Sequence, residues 1–383
     1  MKLPSALIFS CLMFFSKYIV AQSAQAPPTI QVPPPALITP EVHSDDSVTF
    51  RFRAPNAKEV ALRREGLLNP LQMEKGDSGV WTVTTPPLPP DYYGYSIIVD
   101  GQRTIDPFNS LLKPNLLATE NMVWVPGGAS LPWEVSDEPH GEIHHHFYKS
   151  AAAGDFRDFY VYTPPGYDPK AKTTYPVLYL LHGFSDDASG WTAVGRANII
   201  LDNLIAQGKA KPMIVVMPLG YGTMEVIRLG WGGLSAHPEV REQNLSKFRL
   251  VLWEVRMMAE SEYRIKDDRN SRAIAGLSMG GAESLLTGLS SLDTFAWIGA
   301  FSAGGLPEPY EKDFPALDSK SNQQLKLLWI ACGTEDRLIT PNRKFRDWLK
   351  SKDITHVDIE TPGMHTWMVW RRNLAEFAPL LFR

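Results

Sequence analysis

The chain has 383 residues, 44% of them hydrophobic, and a formal net charge of -4. That length exceeds one ordinary domain and points to two, with the composition of a globular protein. The slightly acidic balance leaves no basic face to recommend nucleic acid or an anionic membrane surface as a partner.

Residues 1–21 read as a secretory signal. Lys2 supplies a short positive start, and the apolar run from Ala6 to Phe15 is too short to span a bilayer. Ala21 offers a small residue for cleavage, with Ala24 and Ala26 as alternatives. The expected location is therefore secreted or periplasmic, without a membrane anchor. Cys11 lies inside the apolar run and would leave with it. Cys332 would then be the only cysteine, and no internal disulfide could form. Residues 22–40 are rich in proline and aperiodic, which is the composition of a linker.

From 41 to 126 the chain alternates in short runs, at 47–53, 59–63, 79–84 and 92–99, separated by turn residues. This pattern predicts strands, and Asp100-Gly101 is a hairpin signal. The region reads as a small β-sandwich. Trp81 and Tyr95 stand at alternate positions that would face its core, whereas Tyr93 and Trp124 are candidates for stacking on a sugar ring. Three stretches carry a resemblance: Gly79-Val80-Trp81, the run Leu88 to Tyr95, and Val99-Asp100-Gly101 followed by Asp106-Pro107. With them the region resembles the immunoglobulin-like carbohydrate-binding family 48 modules found ahead of several carbohydrate enzymes. Residues 127–150 read as a connector. Its run His144-His145-His146 cannot place all three rings on one ion, because neighbours on an extended chain point to opposite sides. A lead-in to a strand is the better reading.

From 151 to 383 strands and helices alternate. Buried strands are expected at 156–162, 176–181, 213–217, 272–275, 297–301, 327–331 and 356–360, and helices at 198–207, 245–263 and 280–289. Such alternation gives a mostly parallel sheet covered on both faces. Midway lies Gly276-Leu277-Ser278-Met279-Gly280, which fits G-x-S-x-G. There an apolar strand turns sharply into a helix with the serine at the apex, and the glycines allow close backbone approach. The fold class is α/β: an α/β-hydrolase domain behind an all-β sandwich.

A nucleophilic serine needs a base and a carboxylate that orients it, in the chain order Ser, acid, His. Two histidines lie downstream. His356 opens a predicted strand, and His365 follows in the loop beyond it, so His365 is the expected base. Asp336, on the loop after the strand at 327–331, is the expected acid, with Glu335 its rival. Backbone N–H groups of Met279 and of Phe184, in the run Leu180-Leu181-His182-Gly183-Phe184, are the expected oxyanion donors. Trp191, Tyr221 and Trp231 fall in loops after strands and are candidates to line the substrate pocket. This chemistry calls for no metal and no organic cofactor.

Jointly, Tyr162 to Tyr167, Tyr175 to Phe184, Ser185-Asp186-Asp187 with Trp191, Val216-Met217-Pro218, Gly276 to Gly281, Gly333 to Asp336, and His365-Thr366-Trp367 with Trp370 resemble carbohydrate esterase family 1. That group holds feruloyl esterases, acetyl xylan esterases and the related enterochelin esterases. The resemblance covers nearly all of 156–383 and implies a Ser278–Asp336–His365 triad. It also implies a secreted, monomeric esterase acting on feruloyl or acetyl groups of plant cell-wall xylan. An exported siderophore esterase and a non-catalytic carbohydrate-binding protein are the alternatives. A sandwich that merely tethers the enzyme to polymer would be dispensable for small esters, so a fragment beginning near Gly141 would keep its rate on them.

Overall fold

The computed structural model describes residues 36–128 and 130–383. The expected signal segment and most of the expected linker lie outside the described residues.

The alternating runs of the N-terminal region become two antiparallel sheets. One is ordered β1 (Glu41–Val42), β2 (Val48–Arg53), β6 (Val80–Thr84), β5 (Glu74–Lys75). The other is ordered β4 (Leu71–Gln72), β3 (Val60–Arg64), β7 (Asp91–Val99), β10 (Glu120–Val125), β9 (Leu112–Lys113), with β8 (Gln102–Thr104) paired to β7. Their facing sides supply Val48, Phe50, Val60, Leu62, Trp81, Tyr95 and Val123 to one core. Asp100 and Gly101 both take positive φ, 48° and 82°, as a tight hairpin turn between β7 and β8 requires. Trp81 and Tyr95 are buried as expected. Tyr93 is also buried, with its hydroxyl donating to the Pro89 carbonyl, so it offers no platform for a sugar. Trp124 is exposed, stacked on Tyr92 and hydrogen-bonded to Glu134.

The C-terminal region forms an eight-stranded sheet among the described residues. In chain order its strands are β11 (Glu142–Lys149), β12 (Phe156–Thr163), β13 (Val177–Leu181), β14 (Ile214–Pro218), β15 (Arg272–Leu277), β16 (Trp297–Phe301), β17 (Leu327–Gly333) and β18 (Val357–Thr361). In space the order is β11-β12-β14-β13-β15-β16-β17-β18. β11, β12 and β14 pair antiparallel, and the remaining neighbours pair parallel. β13 to β16 are buried at every position, as strands covered on both faces must be. The covering helices are α1 (Gly190–Ala193), α2 (Ala197–Ala206), α3 (Glu225–Ala236), α4 (Pro238–Glu262), α5 (Met279–Gly288), α6 (Ile339–Ser351) and α7 (Trp367–Phe377). The fold is an α/β-hydrolase preceded by an all-β domain.

The boundary expected at 150 moves. β11 pairs along its whole length with β12, so the hydrolase sheet begins at Glu142 and the histidine run belongs to its edge. Along that strand the rings find separate partners: His145 meets Asp158, and His146 meets Tyr263. The rest of the connector is not a free tether. Asn203 of α2 donates to the carbonyls of Pro132 and Glu134, and Asp202 accepts from Gly141 N–H and Tyr162.

The two domains are joined through the interior. Arg371 of α7 is fully buried and donates to Asp91 Oδ1 at 2.6 and 3.0 Å, to the Tyr92 carbonyl at 2.6 Å and to the Val194 carbonyl at 2.8 Å. Tyr92, Met122 and Trp133 belong to the same apolar cluster as the hydrolase core. Residues 37–383 accordingly pack as one compact unit, which overturns the expectation of a dispensable sandwich. Truncating at Gly141 would expose that apolar face and strip the buried guanidinium of its carboxylate. Asp91→Ala should therefore cost about 3–5 kcal/mol, the scale for breaking a buried ion pair, read as a lowered urea midpoint. A fragment beginning at Gly141 should lack a cooperative thermal transition.

Candidate active site

β15 ends at Leu277 and α5 begins at Met279, leaving Ser278 alone to turn the chain. It does so with φ 51° and ψ -113°, a conformation that costs an L-residue about 1–3 kcal/mol. The surroundings hold it there. Ser278 N–H donates to the Phe301 carbonyl at 2.8 Å, and the Ser278 carbonyl accepts from Gly304 at 3.0 Å and Ala282 at 3.1 Å. The two flanking glycines of the motif meet backbone to backbone. A Cβ on Gly276 would lie 2.6 Å from the Gly280 carbonyl carbon, and one on Gly280 would lie 2.4 Å from the His182 oxygen.

His365 lies on the loop between β18 and α7, and Asp336 on the loop after β17. These loops are laced together: Thr334 N–H donates to Thr361, and Glu335 N–H donates to Gly363. The result is a continuous relay. His365 Nε2 is 3.0 Å from Ser278 Oγ, and His365 Nδ1 is 2.7 Å from Asp336 Oδ2. The second Asp336 oxygen accepts the Leu338 N–H at 2.8 Å. Burial alone would raise the Asp336 carboxyl, but the His365 hydrogen bond and charge, with the Leu338 N–H, hold it below the usual carboxylate range. Trp370 packs edge-on against the His365 ring and donates to Ser302. Glu335, the rival acid, is exposed and accepts the Gly363 N–H instead.

His182 is structural. It is buried, and its Nε2 accepts the Gly220 N–H at 2.8 Å, so the proton sits on Nδ1 and is donated to the Gly183 carbonyl. Burial pushes its pKa down and keeps it neutral. Tyr221 and Trp191 are corrections. Both are fully buried and cannot touch a substrate. Tyr221 lies under the loop 183–186 and donates to the Asp186 carbonyl at 2.9 Å. Trp191 enters the core because the chain after β13 folds inward as α1; its N–H donates to Leu181, and Trp367 packs edge-on against it. Trp231, on α3, does line the site, 5.4 Å edge-to-face from Phe184.

Above Ser278 and His365 lies a cavity of about 410 Å³. One wall comes from the hydrolase, with Phe184, Asp186, Trp231 and Arg337; the other comes from the sandwich, with Arg63, Glu65, Lys113 and Asn115. Lys113 is buried between Glu65 at 2.5 Å and Glu120 at 3.0 Å. Asn115 donates to Ser185 Oγ at 2.9 Å, and Leu116 N–H donates to the Ser185 carbonyl at 2.7 Å, clamping the loop that carries Phe184. The sandwich contribution has no local signature. These residues are charged or polar, stand more than 150 positions from Ser278, and read in isolation as solvated.

The sheet order, the strained turn at Ser278 and the linked His365 and Asp336 define an α/β-hydrolase with a serine at its reactive centre. The family model for esterases matches residues 150–381, and the chain belongs to that family. It is 30% identical over 366 residues to an endo-1,4-beta-xylanase/feruloyl esterase of Xylanibacter ruminicola, an alignment covering 90% of this chain and 46% of that protein. The chain thus spans just under half the length of this curated relative. A CE1 ferulic acid esterase of Anaeromyces mucronatus superposes with a TM-score of 0.57 at 24% identity, over 67% of this chain and 96% of that one. The enterobactin esterase of Shigella flexneri gives 0.63 at 19% identity, over 87% and 92%. At these identities the two structures speak to the fold alone.

Asp186 is buried in the wall of the cavity above Ser278. Burial raises its carboxyl to about 7, against the opposing pull of Lys113. Between the ordinary 3.8 and about 7 the folded chain keeps a proton that the unfolded chain has released. Stability therefore falls as pH rises through that window. Asp186→Asn removes this dependence. Urea unfolding at pH 5 and pH 8 should show the wild type losing on the order of 2 kcal/mol relative to the variant.

Proposed function

We propose that the protein is a secreted serine esterase that hydrolyses feruloyl or acetyl esters on plant xylan through a Ser278–His365–Asp336 triad. The observation that carries the reading is the position of His365, within hydrogen-bonding distance of Ser278 Oγ on one side and of a buried carboxylate on the other. His365 takes the Ser278 proton as Oγ bonds to the ester carbonyl carbon. Asp336 holds the ring tautomer and balances the imidazolium. The N–H of Met279, unpaired within α5 because it is the first helical residue, and the N–H of Phe184 receive the developing oxyanion. The C–O bond then breaks, His365 returns the proton to the departing alcohol, and an acyl-serine remains. Water, deprotonated by His365, attacks it and releases the acid and free Ser278.

Membership of the esterase family and the xylanase/feruloyl esterase relative support this substrate class. Export rests on the sequence of residues 1–21. The exported siderophore esterase is a second reading, favoured by the likeness in fold to the Shigella enterobactin esterase, which extends over 87% of this chain. A non-catalytic carbohydrate-binding role fits poorly with a relay assembled to this geometry.

Ser278→Ala should lower kcat on nitrophenyl acetate by at least about ten-thousandfold with an unchanged melting curve, and Asp336→Asn should fall by a similar order. Glu335→Gln should stay within a few fold. A folded Ser278→Ala variant with near-normal turnover would remove the serine from its role. Parallel rates on methyl ferulate, acetylated xylan and a catechol siderophore decide between the substrate classes.

A further inference from the structure

A second cavity, of about 290 Å³, lies on the other side of the nucleophile. Val226, Leu234, Leu245, Leu286, Met279 and the Trp231 ring give it a largely apolar wall, and Arg241, Glu242, Asn244, Lys312 and Asp313 also line it. Two of its lining residues adjoin the nucleophile: Met279 follows it in the chain, and a Cβ on Gly304 would stand 3.7 Å from Ser278 Oγ. His365 lines the polar cavity shared with the sandwich and is not among the residues lining this one. That asymmetry assigns the two halves of an ester. The leaving alcohol must depart on the side of the histidine that protonates it, so it occupies the polar cavity. The acyl group is left with the apolar cavity beside Met279.

Of the ionisable residues that line it, Glu283 is the buried one. Glu283, on α5, is only 4% exposed; neither of its Oε atoms closes a hydrogen bond of ordinary geometry among the described residues, and the Asn244 side chain is close enough to act on it only weakly. A buried polar group left unsatisfied costs about 1–3 kcal/mol. Glu283 stands five residues beyond Ser278, ~7.5 Å along the helix axis, which suits the far end of an elongated acyl group. Burial pushes its carboxyl well above the ordinary range, with Asn244 tempering the effect. Burial thus favours its uncharged form, which can both donate and accept a hydrogen bond.

We propose that this cavity is the acyl pocket and that Glu283 reads a hydroxyl group on an aromatic acyl moiety, selecting hydroxycinnamoyl over unsubstituted or acetyl esters. The inference rests on the esterase reading above and narrows it. Apolar walls bearing Trp231 and Met279 suit an aromatic ring. Walls of that kind discriminate weakly by themselves, whereas a buried group waiting for a hydroxyl penalises the analogue that lacks one.

The test is the ratio of kcat/KM for methyl p-coumarate to that for methyl cinnamate, which differ only in the ring hydroxyl. The wild type should prefer the hydroxylated ester by at least about tenfold. Glu283→Leu should bring the ratio close to one. Glu283→Gln, whose amide also donates and accepts, should retain most of the preference. Circular dichroism and melting curves establish which variants fold. If the leucine variant does not fold, the wild-type ratio and the glutamine variant decide. A wild type without preference, or a leucine variant that keeps it, overturns the proposal. Nitrophenyl acetate separates the two failures: if it is hydrolysed while the ratio stays flat, only the acyl-pocket assignment falls. If no ester is hydrolysed, the esterase reading falls first.

Discussion

The Arg371–Asp91 pair is the contact on which the architecture depends. A guanidinium cannot be left dry and unpaired in a protein interior, so Arg371 needs Asp91 and the Tyr92 carbonyl from the sandwich, together with the Val194 carbonyl from the hydrolase. Arg371 sits on α7, the helix that follows directly from His365. The requirement that seats the sandwich therefore also seats the helix behind the catalytic histidine. Domain docking and site geometry are one arrangement in this molecule.

The docked sandwich gives the reactive centre two unlike flanks. On one side, charged and amide side chains from both domains form a polar cavity over His365. On the other, α3, α4 and α5 contribute to a more apolar one. Between them Ser278 is held in a strained turn by hydrogen bonds from neighbouring strands and loops. The strain is sustainable because the sheet is buried on both sides and the glycines at 276 and 280 let the backbone close over itself. A relaxed turn would not present the hydroxyl to the His365 ring in this way.

Much of the fold was legible in the residues. Continuous apolar runs at 177–181 and 214–218 can only be strands covered on both faces, and Asp100-Gly101 fits a turn that needs two positive φ values. The histidine at 365 was separable from the one at 356 because loops beyond strand ends carry reactive groups, whereas residues entering a strand are held by the sheet. Trp191 and Tyr221 were misleading for a physical reason. Large aromatics in post-strand loops serve equally to line a pocket or to wedge a loop against the core, and their local sequence is the same in both cases. The edge strand at 142–149 was hidden because its residues alternate between exposed and half-buried, so it lacks the apolar run that marks an interior strand.

By itself, then, the sequence determined the two-domain order, the strand and helix alternation, and the nucleophile, base and acid as candidates. Each of these is written in periodicity or in a motif whose glycines have a local steric purpose. Only the tertiary structure decided that the sandwich is a wall of the site and not a tethered neighbour, that Arg371 keys the domains together, and that Glu283 is buried at a largely apolar cavity. Those facts depend on which distant surfaces meet. A charged residue such as Lys113 or Arg371 reads as solvated until the fold brings its counter-charge and removes the water.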